Sequence, residues 1–181
     1  MAQQTADPAI IKLENVRLSF PHLFTAHAME EGQEAKFGAV FLMDSEKHAA
    51  LIARIEKLIE RLALDFWKKK ISFKSCLRDG NDKSDVDGYG DGVMFISASR
   101  KTRPAVVDRL VNPVTEEDGV IYAGCYVNAT LRLWVQDNKW GKRVNAELRA
   151  VQFVKDGESF GAAPVNAEEE FTALEEKLDE F

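Results

Sequence analysis

The chain has 181 residues, 45% of them hydrophobic, enough for one domain with a real core and for a tail beyond it. No apolar run approaches the roughly 20 residues of a membrane span. The net charge of −6 is unevenly placed: residues 168–181 hold seven acids and one base, so residues 1–167 sum to zero and the acidic balance does not exclude a nucleic-acid partner for the folded part.

Two cysteines, Cys76 and Cys125, are too few for a zinc site, and the opening MAQQTADPA has neither the basic start nor the apolar core of a secretion signal. A reduced, cytoplasmic protein is expected. After a loose lead-in, Ile11, Leu13, Val16, Leu18 and Phe20 predict a strand whose alternation slips near Asn15, as at a bulge, and Pro21 is expected to end it. Residues 21–35 read as a long loop; its His22, His27, Glu30 and Glu31 do not have a recognised metal-ligand spacing. Lys36 to Met43 predicts a second strand. Asp44 or Ser45 can cap a helix of about 20 residues, with Leu51, Ile52, Ile55, Leu58, Ile59, Leu62 and Phe66 on its buried face.

The helix runs out into Trp67, Lys68, Lys69, Lys70, Phe73, Lys74 and Arg78. A helix C-terminus favours cations, but five bases without an acid, interleaved with Trp67 and Phe73, exceed what capping needs and point to phosphate tracking. Residues 79–92, DGNDKSDVDGYGDG, form a glycine-rich acidic loop. A calcium loop fails because no register places glutamate at the twelfth position, and Gly88 to Gly92 lack the strand and helix of a dinucleotide site. Paired carboxylates from Asp82, Asp85, Asp87 and Asp91 leave a metal-dependent nuclease as the enzymatic alternative. Val93 to Ser99 predicts a strand running into a second basic cluster, Arg100, Lys101 and Arg103, and Pro104 and Pro113 bound the connection that follows.

The clearest pattern runs from Val120 to Val154. Ile121, Ala123, Cys125, Val127, Ala129, Leu131, Leu133 and Val135 fall on one side of a strand, and Tyr122, Tyr126, Thr130, Arg132 and Trp134 on the other. With Asp137-Asn138 as the turn of a hairpin, Leu131 would face Val144, Tyr126 would face Arg149, and Arg132 would face Arg143. Opposed like charges destabilise a sheet. Beside Tyr122, Tyr126 and Trp134, such a pairing suggests an anion held on this face, with bases on the rings and phosphates on the guanidinium groups. The bland alternative is a solvated face. There are no internal repeats and no Ser/His/Asp or Cys/His set suited to nucleophilic catalysis. In the tail, Phe171, Leu174, Leu178 and Phe181 have helical spacing, so residues 162–181 read either as a docked helix or as an acidic segment that competes with DNA or docks on a partner.

FPHLFTAHA at 20–28, DGYGDGVMFISASRKTRPAVVD at 87–108, IYAGCYVNATLRLW at 121–134 and AVQFVKDGESFG at 150–161 resemble a family of single-stranded DNA-binding proteins of tailed phages, long known only as a domain of unknown function. The resemblance implies a mainly β chain with one main helix: an OB-fold, the five-stranded antiparallel Greek-key barrel that binds a single strand on one face. Five predicted strands agree, but the helix follows the second strand rather than the third. It further implies a docking peptide for replication or recombination proteins at Asp179, Glu180 and Phe181.

The combined reading is an OB-fold domain at 1–161 and an acidic tail at 162–181. The domain would coat single-stranded DNA without sequence preference, perform no chemistry and need neither metal nor cofactor. Bases would stack on Tyr122, Tyr126 and Trp134, with Trp67, Phe73 and Tyr89 further out. Phosphates would meet Arg132, Arg143, Arg149, Lys68, Lys69, Lys70, Lys74, Arg100, Lys101 and Arg103. A phage-encoded chain would act in the host cytoplasm, and a homodimer is compatible with this reading. A protein-only recombination or virion component is the non-enzymatic alternative.

Overall fold

The computed structural model describes residues 8–28, 30–161 and 170–174. Among these residues, eight strands and one long helix run in the order β1 (Ile10–His27), β2 (Lys36–Asp44), α1 (Ala49–Trp67), β3 (Lys74–Ser75), β4 (Leu77–Asp79), β5 (Val93–Arg100), β6 (Ala105–Val107), β7 (Tyr126–Asn138) and β8 (Gly141–Lys155). The five long strands close on themselves. β8 pairs with β7, β7 with β1, β1 with β2 and β2 with β5, and Ser99 of β5 meets Glu147 of β8 in parallel to seal the ring. This is the OB-fold barrel that the resemblance implies. α1 follows the second barrel strand, so the topology is a variant in the position of its helix.

One apolar side of each strand fills the barrel: Leu13, Val16 and Leu18 from β1, Phe41 and Met43 from β2, Ile96 and Ala98 from β5, Val127 to Leu133 at alternate positions from β7, and Val144, Ala146 and Leu148 from β8. Helix residues Leu51, Ile52, Ile55, Leu58 and Ile59 are buried in the same core. Phe66, expected on that buried face, is instead 53% exposed. Asp44 does not cap α1 itself. Its Oδ1 accepts from the N–H groups of Glu46 and Lys47 in the turn before the helix, at 2.9 and 3.0 Å, and the residue at the N-cap is His48. His48 Nδ1 accepts from the Asp44 N–H at 3.0 Å, which leaves Nε2 to donate to the Asn15 carbonyl at 3.1 Å and ties the helix start to β1.

The slip near Asn15 is a bulge: the register shifts between Leu13 and Val16, and Asn15 takes φ +51°. Pro21 does not end β1. The strand continues to His27 through a second irregularity, where Phe20 takes φ +44° and the pairing skips from Ser19 to His22, so the proline falls where no ladder N–H is needed.

The central hairpin needs two corrections. Its turn is Lys139-Trp140, with Asn138 opposite Gly141, and the partners of Leu131 to Asn138 lie four residues further along β8 than predicted: Leu131 faces Leu148 and Val135 faces Val144; past a bulge at Arg149 the offset is five, with Ala129 facing Val151, and it reaches six at Tyr126. Gly141, at φ +115°, takes the left-handed conformation that lets the strand re-enter, and the Trp140 N–H donates to Asn138 Oδ1 at 2.9 Å. A slip of an even number keeps the faces of Leu131 to Val135 and of Val144 to Leu148, so that part of the core is as expected while the outer neighbours change; the bulge at Arg149 then puts Val151 on the core side of β8. Arg132 faces Glu147, Arg143 faces Gln136 and Tyr126 faces Lys155. The predicted opposition of two arginines is therefore absent. The second correction is at the start of β7. Residues 120–125 form a turn rather than strand, because Gly124 sits at φ +107° and the Cys125 N–H closes back on the Tyr122 carbonyl at 3.2 Å.

Candidate nucleic-acid interface

The outside of the barrel carries aromatic rings and cations in three places rather than on one platform. The first lies over β1, β2 and β5. Phe95, outward on β5, is buried because the loop 80–92 folds back over it, bringing Tyr89 edge-on at 5.1 Å. Phe20, half exposed, stands 6.4 Å from Tyr89. Lys83 Nζ lies 5.9 Å from the Phe20 ring centre, 5.9 Å from Tyr89 and 5.6 Å from Phe95, and the Arg78 guanidinium lies 5.2 Å from Phe95. The Tyr89 hydroxyl donates to Ser19 Oγ at 3.1 Å, and burial pushes its pKa up. A groove lined by Ser19, Phe20, His22, Asp87 and Phe160 adjoins this cluster.

Residues 156–161 form a strap that closes the groove on one side. The Tyr122 hydroxyl donates to Asp156 Oδ1 at 2.8 Å and accepts from the Gly157 N–H at 3.1 Å; burial, and then Asp156, push its pKa up. Arg17 donates to the carbonyls of Gly124 and Glu158, at 3.1 and 2.6 Å, and lies 4.2 Å from the centre of the Phe160 ring and 5.9 Å from that of Tyr126. Lys155 Nζ stands 4.8 Å from the Tyr126 ring centre. Tyr122 is thus engaged in anchoring the strap, off the sheet on which the alternation had placed it.

The second place is the outer face of β7 and β8. Arg132 and Arg149 are exposed there and Trp134 is 43% exposed, flanked by Asn145. The third is the end of α1 with the hairpin. Trp67 Nε1 donates to Asp137 Oδ2 at 2.8 Å, Trp67 stacks on Phe73 at 5.6 Å, and Lys74 of β3 pairs with Arg143 of β8. This gathers Trp67, Phe73, Lys68, Lys69, Lys70, Lys74 and Arg143 as one patch. Arg100, Lys101 and Arg103 lie apart from it, at the β5–β6 connection. Lys101 pairs with Glu34 at 3.6 Å and Arg103 donates to the Phe24 carbonyl at 2.9 Å.

The acids of the loop 79–92 are not gathered. Asp82 pairs with Arg78 at 3.5 Å, Asp87 accepts from the Gly161 N–H at 3.0 Å and Asp91 accepts from Asn81 Nδ2 at 3.1 Å. Among the described residues no three His, Cys, Asp or Glu side chains are grouped to hold a metal. His22 and His27 stack at 4.2 Å, and burial, then the neighbouring ring, lower the pKa of His22. No helix among the described residues is long and apolar enough to cross a membrane.

The sequence reading missed Phe20, Phe95, Lys83 and Arg17 as members of the first cluster, and Trp140 at the hairpin turn. Strand parity alone would have turned Phe95 outward, but nothing in the pattern told that a loop would cover it. Asp179, Glu180 and Phe181 lie outside the described residues; of the tail's anchors, Phe171 and Leu174 are exposed.

A closed five-stranded barrel with ring-and-cation clusters on its outside defines an OB-fold protein of the kind that carries oligonucleotides on its surface. The family described by the single-stranded DNA-binding protein of Enterobacter phage Enc34 matches residues 9–181, and the chain belongs to that family. Protein p50 of Acyrthosiphon pisum secondary endosymbiont phage 1 is 41% identical over 175 residues, covering 91% of this chain and 93% of p50. The structure of the Enc34 single-stranded DNA-binding protein in complex with single-stranded DNA superposes with a TM-score of 0.77 at 35% identity, over 84% of this chain and 90% of that one. Bacteriophage T7 gp2.5, a single-stranded DNA-binding protein, shares the fold at 14% identity and a TM-score of 0.57, over 95% of this chain and 97% of gp2.5.

Proposed function

We propose that this protein coats single-stranded DNA without sequence preference during phage DNA replication or recombination in the host cytoplasm, and that it performs no chemistry. The observation that carries this reading is the likeness, across most of the chain, to a relative whose structure was determined with single-stranded DNA. The ring-and-cation clusters supply the physics: rings stack on any base, and lysines and arginines follow the phosphates. In this reading Tyr126 and Trp134 stack bases on the strand faces, Tyr89 with Phe20 does so over β5, and Trp67 and Phe73 do so at the helix end. Arg132, Arg143, Arg149, Lys68, Lys69, Lys70, Lys74, Arg100, Lys101 and Arg103 hold phosphates. Tyr122 contributes by holding the strap. Gly161 of the strap lies at the rim of the groove beside Phe20, and in this reading the acidic segment at 162–181 competes with DNA for the basic surface. Asp179, Glu180 and Phe181 serve as a docking peptide for replication proteins.

The test is fluorescence anisotropy of labelled oligo-dT and of a matched duplex across a salt series, with the full chain and a version ending at Ala163. Strand-selective binding that weakens with salt and strengthens on truncation supports the reading. Trp134→Ala or Tyr126→Ala is expected to weaken it by about 1–3 kcal/mol, one stacked base. No binding at low salt sinks the proposal, and magnesium-dependent cleavage of the strand would replace it with a nuclease.

A further inference from the structure

The turn that follows β6 holds an aliphatic pair out in water. Leu110 is 81% exposed and Val111 67%, and Val111 takes φ +65°, a conformation strained for a β-branched side chain. Neither side chain makes the turn. Asp108 makes it: its Oδ1 accepts from the N–H groups of Leu110 and Asn112 at 2.9 Å each, and its own N–H donates to the Asn112 carbonyl at 2.9 Å. Arg109 Nη1 donates to the Val154 carbonyl at 3.0 Å and Gln152 Nε2 to the Arg109 carbonyl at 3.3 Å, which ties the turn to β8. An aliphatic pair presented by a fixed turn, at a backbone strain that asparagine or glycine would avoid, points to a contact with another molecule. The ribbon that ends in this tip also walls a groove. The chain returns with Pro113 beside Val107 and with the Val114 N–H donating to the Val106 carbonyl at 3.2 Å. Phe24, Pro104, Val106, Pro113 and Val114 line the groove, and Arg103, which also lines it, is turned to the Phe24 carbonyl. Thr115 lines it too, and the turn it starts carries Glu116 and Glu117, both exposed. The tip has the opposite charge: Arg109 is exposed, and Asp108 is spent on the turn. An apolar tip with a base thus matches an apolar groove with acids beside it. The tip ends the short ribbon that walls the groove, so it cannot fold back into its own groove. A DNA strand suits the tip poorly, because the pair offers no ring to stack on and the acids nearby repel phosphates.

We propose that the occupant of the groove is a second copy of this chain: the tip of one copy docks in the groove of the next copy on the same DNA strand. Leu110 and Val111 enter the groove, and Arg109 meets Glu116 and Glu117 of that copy. A single strand has a direction, so copies bound along it in one polarity repeat head to tail, and a tip with a separate groove gives that heterologous contact. The inference rests on the DNA-coating reading and adds how neighbouring copies join. Two side chains and an ion pair are too small a contact to hold free copies together. It acts where one strand holds two copies side by side and raises their effective concentration.

The experiment measures binding of the full chain to oligo-dT of about 6 and about 60 nucleotides, one near the footprint of a single barrel and one several times longer. It uses anisotropy for affinity and a gel shift for the distribution of copies on the long strand. The proteins are the unaltered chain, Leu110→Asp on the tip, Thr115→Arg in the groove, and Val111→Asn, which removes an apolar side chain while suiting the left-handed backbone. Folding is checked by thermal melting. The unaltered chain is expected to give bare and fully coated long strands with few partly coated ones. Leu110→Asp and Thr115→Arg are each expected to weaken long-strand binding by about ten- to a hundredfold and to give a ladder of partly coated strands, with short-strand affinity within about twofold. Val111→Asn moves the same way by a smaller factor. A ladder from the unaltered chain, or variants that coat the long strand as it does, overturns the contact between copies and leaves the tip for a different protein. Equal weakening at both lengths overturns it in favour of a direct role in holding DNA. Failure of the unaltered chain to bind either length overturns the DNA-coating reading, and the contact with it.

Discussion

Gly124→Ala isolates the device that holds the strap. Gly124 sits at φ +107°, and a Cβ added there would fall on the carbonyl of Glu158, with Ser159 Cα at 3.0 Å. Two costs follow and can be separated. Placing an L residue at such a φ costs on the order of 2 kcal/mol. The clash is with backbone, so Glu158 must move, and Arg17 then loses a hydrogen bond at 2.6 Å to its carbonyl, worth about 1.5–3 kcal/mol for a charged donor. The expected loss is therefore roughly 4 kcal/mol, read by urea denaturation as a lower midpoint with an unchanged slope. Gly119→Ala is the control. Gly119 has φ +64° and nothing within 4 Å of an added Cβ, so it carries the backbone cost alone, about 1–2 kcal/mol. If the two variants lose the same stability, the close approach does not hold the strap and the argument fails. If Gly124→Ala loses the larger amount, its oligo-dT affinity should also drop, because Phe160 is set over Arg17 by the same strap and lines the groove beside Phe20.

Three other measurements bear on separate elements. The raised pKa of Tyr89 means that its neutral form is favoured by folding, so this contribution is fully present below pH 10, the ordinary tyrosine value, and is lost as pH rises through the folded value; Tyr89→Phe should flatten that alkaline decline in a pH series of melts, and an identical decline in the variant would refute it. Burial pushes the Cys76 thiol up to about 12, so labelling by a thiol-specific disulfide at pH 8 should be slow in the folded chain and fast in denaturant; rapid labelling of Cys76 without unfolding would contradict its burial. Val111 holds φ +65° while 67% exposed, a conformation strained for a β-branched side chain, so Val111→Asn should raise stability by about 1 kcal/mol in the same urea assay, and a loss would show that the side chain is needed there.

What the sequence could show was set by periodicity. In β7 the alternation from Val127 to Val135 fixes which side chains enter the barrel; from Leu131 onward it survives a four-residue slip because four is even, and before that the odd step is taken up by the bulge at Arg149 in β8. The same argument says nothing about which residue stands opposite which. Arg132 was therefore given Arg143 as a partner when the fold provides Glu147. The turn decides the register, and the decisive residue there is Gly141, whose positive φ carries more information than the Asp137-Asn138 pair that resembled a turn. β3, β4 and β6 have two or three residues each, too few to show a period, and they form because neighbouring long strands offer unpaired edges. A pattern of two also cannot see a cover laid on from elsewhere. Leu42 and Phe95 are in the outward phase of their strands and are still buried, because the loop 80–92 lies over Phe95 and Gly88 brings its backbone close to Leu42 and Phe160.

The aromatic and basic residues were each visible in the sequence, but their grouping was not, and grouping decides the binding geometry. The sequence reading put the main platform on one sheet face because Tyr122, Tyr126 and Trp134 share a phase. Gly124 breaks that phase and turns Tyr122 to the strap, while chain segments more than fifty residues apart bring Phe20, Tyr89 and Phe95 together around Lys83. The same folding-together brings Trp67 to Asp137 and so sets the lysines after α1 beside a hairpin distant in sequence. Stacking needs a ring to be reachable, and phosphate binding needs cations spaced along a path. The first cluster is assembled across β1, β5 and the loop 80–92, and the third across α1, β3 and the β7–β8 hairpin, so both conditions are met only by the folded chain and by no single stretch of sequence.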